Sequence, residues 1–147
     1  MAINREFAGR TFPPSEPYEV SAVKIAEFAA AIGDGNPLYR DRAAARAAGH
    51  ADVIAPPTFA IVISMAGSGA ALADPDLGLN YAMVVHGEQK FSYLRPLTAG
   101  DVVTAQVTLT DIRDAGRNVM LTTSTQITTV EGEPVCTALS TIVERGA

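Results

Sequence analysis

Between Val53 and Ala73 lie 21 residues without a charge. An uncharged stretch of that length is either a bilayer span or the helix around which a domain is built. The run opens with Pro56-Pro57, is interrupted by Gly67-Ser68-Gly69, and is flanked by Asp52 and Asp74 rather than by the Lys or Arg that orient membrane spans. Proline fits the first turn of a helix, whose N–H groups have no internal partner. The run therefore predicts a helix that starts at Pro56-Pro57, continues through Phe59-Ala60-Ile61-Val62-Ile63 and reaches Leu72, wrapped on every side by the rest of the chain. No membrane association is expected.

Strands follow this helix almost without interruption. Met83 to Tyr93 reads as one. In the next, Val103, Ala105, Val107 and Leu109 alternate with Thr104, Gln106, Thr108 and Thr110, the period of a sheet with one buried face. Asp114 to Asn118 is a turn, Val119 to Val130 a Thr-rich strand, Glu131-Gly132-Glu133-Pro134 a hairpin loop, and Val135 to Val143 the last strand. Upstream, Tyr18-Glu19-Val20 forms a short strand and Ser21 caps a helix carrying Ile25, Phe28, Ala29 and Ile32 on one face. Gly33 ends that helix, and a second, alanine-rich helix runs from Asp41 to Ala48 before Gly49. The fold class is α+β: an antiparallel sheet around one long helix, in a single domain over residues 1–147.

Composition narrows the function. A net charge of -5 argues against nucleic acid as a partner. The single cysteine, Cys136, has no internal disulfide partner and points to a reducing, cytoplasmic setting; the opening Met1-Ala2-Ile3-Asn4-Arg5-Glu6 lacks the apolar core of a secretion signal. No Cys/His spacing suggests a metal, and no glycine-rich phosphate loop suggests a nucleotide, so no cofactor is expected. Arg40, Arg42 and Arg46 form the one tight basic group, suited to the phosphates of coenzyme A or to an acidic carrier protein, and equally to a solvated helix face.

The segment Gly33-Asp34-Gly35-Asn36-Pro37-Leu38-Tyr39 concentrates the remaining information. It resembles the catalytic loop of the MaoC-like, (R)-specific enoyl hydratases and 3-hydroxyacyl dehydratases, in which Gly-Asp-x-Asn-Pro-aliphatic is followed by histidine. Ile54-Ala55-Pro56-Pro57-Thr58-Phe59, His86-Gly87-Glu88-Gln89 and Arg95-Pro96-Leu97-Thr98-Ala99-Gly100-Asp101 match in order and separation. Nearly the whole chain is thereby similar to the N-terminal, FAS1-like dehydratase-type half of two-domain hydratases and to small stand-alone actinobacterial proteins. The resemblance implies a hot-dog fold, a side-by-side dimer and an acyl-CoA or acyl-carrier-protein thioester as ligand. It places Asp34 and Tyr39 at a degenerate catalytic loop, and Asn36, Pro57, Thr58, Phe59 and His86 against the substrate.

Two residues depart from that pattern. Tyr39 stands where active relatives carry the histidine that, with the aspartate, handles water at the β-carbon. Such proton shuttling is worth about 100- to 10,000-fold in rate. Pro56-Pro57 stands where they carry His-Gly, whose glycine N–H polarises the thioester carbonyl. Proline has no N–H, and losing one such donor costs roughly 100- to 1000-fold. The resemblance thus implies a non-catalytic subunit of a heteromeric (R)-specific hydratase or dehydratase, with a catalytic hot-dog partner. The alternative is a self-sufficient homodimeric hydratase or thioesterase using Asp34 with Tyr39 or His86. Each residue also has a plainer role: Asp34 and Asn36 as turn formers, Tyr39 as a packed ring, His86 as a hydrogen-bonded strand residue.

Overall fold

The computed structural model describes residues 2–146. Three helices, α1 (Ala22–Ala31), α2 (Arg42–Ala47) and α3 (Ala60–Leu72), accompany five strands, β1 (Tyr18–Glu19), β2 (Val84–Tyr93), β3 (Val102–Ala115), β4 (Asn118–Thr129) and β5 (Pro134–Glu144). All strand pairs are antiparallel, in the order β1-β3-β4-β5-β2. The long strand β2 thus closes one edge of the sheet and the two-residue β1 the other.

Local chemistry explains the element ends. Ser21 Oγ accepts the Lys24 N–H at 3.1 Å, and Asp41 caps α2 through the N–H groups of Ala43 and Ala44. Gly33 adopts φ +72° past the end of α1, where the Asp34 N–H reaches back to the Ala29 carbonyl at 2.9 Å. Along β3, Val103, Ala105, Val107 and Leu109 are all buried, as the alternation requires, and β4 sets Leu121, Thr123, Thr125 and Ile127 on the same inner face. Two apolar clusters fill the interior. One gathers Val20, Ile25, Phe59, Ile63, Leu97 and Val103 near the start of α3. The other gathers Phe7, Leu77, Leu109, Ile112, Leu121 and Ile142 near its end.

The central helix differs from expectation in two ways. Pro57 to Phe59 form a turn that leads into the helix, so α3 begins at Ala60 instead of at the prolines. The helix is also not wrapped on every side by its own chain. Ala60, Ile63, Ser64 and Ala71 are buried, while Met65 is 59% exposed. Gly67 explains the tilt toward one side: a Cβ there would lie 2.6 Å from the Ala105 Cβ, so α3 rests directly on β3. Among the described residues no helix is long and apolar enough to cross a membrane.

Candidate functional site

A cleft of about 370 Å³ opens beside the start of α3, lined by Tyr39, Ile54, Ala55, Pro57, Tyr93, Leu94, Arg95 and Pro96. Four segments build it. The first is the loop after α1. Asp34 Oδ1 accepts the Asn36 N–H at 3.1 Å, and Asn36 Oδ1 accepts the Leu38 N–H at 3.0 Å, which starts the short 3-10 turn Pro37–Tyr39. The Arg40 guanidinium donates to the Asp34 carbonyl at 3.2 Å. These bonds hold Tyr39 so that its ring is buried while its edge meets the cleft. Burial first, then the negative Asp34, push the Tyr39 phenol above its ordinary value, against a smaller opposing effect of the Asn36 amide. Near neutrality Tyr39 is therefore a hydrogen-bond donor and no base.

The second wall is the entry to α3. Pro56 and Pro57 carry no N–H, the Phe59 N–H is spent on the Pro56 carbonyl at 2.9 Å, and the Tyr93 hydroxyl donates to the Pro57 carbonyl at 2.6 Å. Burial drives the Tyr93 phenol strongly upward, with the neighbouring Cys136 adding to it, so this hydroxyl stays protonated. Cys136 itself is buried and its thiol is pushed up to about 11, chiefly by desolvation. The third and fourth walls are the end of β2 and the loop beyond it. There Arg95 makes a bidentate ion pair with Asp101 at 2.8 and 3.0 Å and a second contact with Glu133. Asp101 also accepts the Thr98 N–H at 2.8 Å, and Gly100 supplies φ +96° for the turn. The Arg-Pro-Leu-Thr-Ala-Gly-Asp sequence is thus a self-tied loop that fixes one rim of the cleft.

Of the residues singled out in the sequence, Tyr39 and Pro57 meet in the cleft, with Asp34 and Asn36 building the loop behind Tyr39. Thr58 is exposed at the helix mouth and offers the first N–H after the prolines. Phe59 is completely buried, packed edge-on against Phe28 at 5.4 Å, and does not line the cleft. His86 lies seven residues from Tyr93 along β2, roughly 23 Å away. Its Nε2 sits 3.1 Å from the Glu88 carbonyl and 3.4 Å from Ser140 Oγ, beside a bulge at Gly87. Within one chain, then, His86 is not beside Asp34. Tyr93, Ile54 and Leu94 complete the cleft without having been singled out. Among the described residues no group of three His, Cys, Asp or Glu side chains is placed to hold a metal.

Comparison with known proteins agrees with this geometry. The family described as FAS1-like, dehydratase domain region, matches residues 6–138. The chain belongs to this FAS1-like dehydratase family. A relative from Thermobifida fusca, called UPF0336 protein, is 57% identical over 146 residues, covering 99% of this chain and 96% of the relative. Among solved structures, a MaoC-like dehydratase superposes with a TM-score of 0.87 at 31% identity, covering 95% of this chain but 42% of that longer one. The ChsH1-ChsH2 complex from Mycobacterium tuberculosis superposes with a TM-score of 0.70 at 28% identity over 90% of this chain and 89% of that one. The FAS1-like chain is accordingly a MaoC-like hot-dog, with the curled sheet and the leaning helix that this fold entails.

Proposed function

We propose that this chain is the acyl-binding, stabilising and non-catalytic subunit of a heteromeric (R)-specific enoyl-CoA hydratase or (3R)-hydroxyacyl-ACP dehydratase of cytoplasmic fatty-acid-type metabolism. One observation carries the reading. Tyr39 and Pro57, the two residues that depart from the hydratase pattern, line the same cleft. A protonated phenol replaces a proton shuttle there, and a peptide without N–H replaces a carbonyl clamp. The rest of the cleft is apolar and well supported, as an acyl group requires. A complex of two different chains among the similar structures favours a catalytic partner that supplies the missing groups. The purified chain alone should hydrate enoyl-CoA at least a thousandfold more slowly than when it is co-purified with a hot-dog chain carrying an intact Asp-His loop. Full turnover by the chain alone would overturn the subunit reading.

A second reading has one observation in its favour. Asp34 is only partly buried, and Thr58 presents an exposed N–H at the helix mouth, so a carboxylate and a donor remain near the cleft. A self-sufficient hydratase or thioesterase would use them, and Asp34→Asn would then abolish a turnover measurable in the wild-type chain.

A further inference from the structure

The edge strand β2 pairs with β5 on one side only, and its ten residues leave a row of backbone groups open on the other. Long open edges of this kind are taken by another strand unless something blocks them. At the strand's middle stand Glu88, Gln89 and Lys90. Glu88 and Lys90 point to the outer face, both more than half exposed, and are joined by a 3.1 Å ion pair. Gln89 points inward, opposite Ser140, and both polar atoms of its carboxamide are buried without a partner. An unpaired buried amide is costly, so a group that supplies both a donor and an acceptor is called for.

A second copy of the same strand meets every one of these demands. If two β2 strands run antiparallel about a two-fold axis at Gln89, each Glu88 faces the other chain's Lys90. The two Gln89 carboxamides then lie opposite each other, each offering the N–H and the carbonyl that the other lacks. Directly opposed side chains stand about 5 Å apart in such a pair. The register also fixes His86. Across the Gly87 bulge it shares the inner face with Gln89, because it pairs with buried Ile142 and touches Ser140. It falls opposite Phe91 of the other copy, one inner-face place, roughly 7 Å, from Tyr93 at the cleft.

We propose that two copies of this chain pair through β2 about Gln89, and that each His86 lines the cleft wall of the neighbouring copy instead of its own. The imidazole that the loop at Tyr39 lacks is then present as a hydrogen-bonding group from the second chain. This goes beyond the heteromeric reading, since it concerns the chain purified alone, and either can fail without the other.

Sedimentation velocity of the full chain at micromolar concentration should show a dimer. Glu88→Lys and Lys90→Glu, each setting like charges opposite each other twice, should weaken it by roughly tenfold or more. The double swap Glu88→Lys with Lys90→Glu should restore it. A monomeric wild type, unaffected single variants, or a double swap that stays weak would each overturn the proposal. The register has its own test. Mixed His86→Cys and Phe91→Cys chains should form a disulfide between copies under mild oxidation, whereas His86→Cys alone should not. Because Phe91 helps to pack the core, the exposed pair Val85→Cys and Ser92→Cys, also opposed in this register, serves as the second measurement; absence of its cross-link overturns the register.

Discussion

Gly67→Ala and Gly69→Ala probe the same helix with opposite expected signs, and the difference is set by how closely α3 lies on β3. At Gly69 an added Cβ meets nothing within 4 Å, so the substitution acts through helix propensity and stabilises by about 1 kcal/mol. At Gly67 the same gain is opposed by a Cβ placed 2.6 Å from the Ala105 Cβ, with the Ala105 carbonyl oxygen at 3.5 Å. Carbon atoms prefer about 3.5 to 4.0 Å, so helix or strand must shift by about 1 Å, and neither is the free end of a flexible side chain. Overpacking of this kind costs about 1–3 kcal/mol. The net for Gly67→Ala is a destabilisation of about 1 kcal/mol, which leaves about 2 kcal/mol between the two variants. For a domain of this size that corresponds to about 4–8 °C in melting temperature, readable by calorimetry or circular dichroism. Ala105→Gly in the Gly67→Ala background removes the obstructing methyl and should show a coupling energy of the same sign and about 1 kcal/mol. If the two glycine variants move the melting temperature together, or if the coupling is absent, the close seat of α3 on β3 is wrong, and with it the asymmetric opening toward β2.

Two further outcomes follow from the cleft. Arg95→Lys keeps the charge but loses the bidentate grip on the partly buried Asp101, and should lower stability by about 1–2 kcal/mol in urea unfolding, with Asp101→Asn comparable. Cys136 is buried and its thiol is raised to about 11, so a thiol reagent at pH 8 should leave the native chain unmodified and react fully once it is denatured. The sign of the pH effect is the same for both groups raised by burial. The protonated Cys136 and Tyr93 are the forms the fold favours, so their contribution is complete below the ordinary thiol and phenol values and is lost as the solution becomes more alkaline. Unfolding measured between pH 7 and pH 11 should show stability falling toward the alkaline end, and Tyr93→Phe should flatten that fall.

What could be read from the sequence is what local physics determines. Strand β3 declared itself because Val103, Ala105, Val107 and Leu109 alternate with threonines, and Ser21 and Gly33 marked the ends of α1 because a cap and a left-handed residue are chemically specific. The start of α3 was misplaced by a few residues because Pro56-Pro57 suits a first turn and a preceding turn alike. The wrapping of α3 could not be read at all: Met65 has the same apolar character as Ile63, yet one is exposed and the other buried. Hydrophobicity records a preference, whereas burial depends on which chain comes to cover the helix. The cleft was half legible. Tyr39 and Pro57 stood out by departing from a pattern, but Tyr93 lies 36 residues from the Pro57 carbonyl it binds, and only the folding of β2 against the mouth of α3 brings them together.

The two altered residues also have a common mechanical effect. Pro57 fixes its own backbone angle, its carbonyl is held by Tyr93, and Tyr39 is seated by the bonds that Asp34 and Asn36 make within their loop. Arg95 and Asp101 clamp the facing rim. Every wall of the cleft is therefore immobilised by groups that make no proton transfer near neutral pH. Reactive sites of this chemistry need a base whose charge can change near neutrality, and this cleft in isolation presents hydroxyls, aliphatic surface and fixed carbonyls instead. Such a cavity is suited to hold a shape, and an acyl chain is recognised mainly by shape. Any proton transfer at the thioester must then come from outside the protomer, across the open edge of β2, which is where the chain has left its sheet unpaired, its helix partly bare and its one buried carboxamide without a bond.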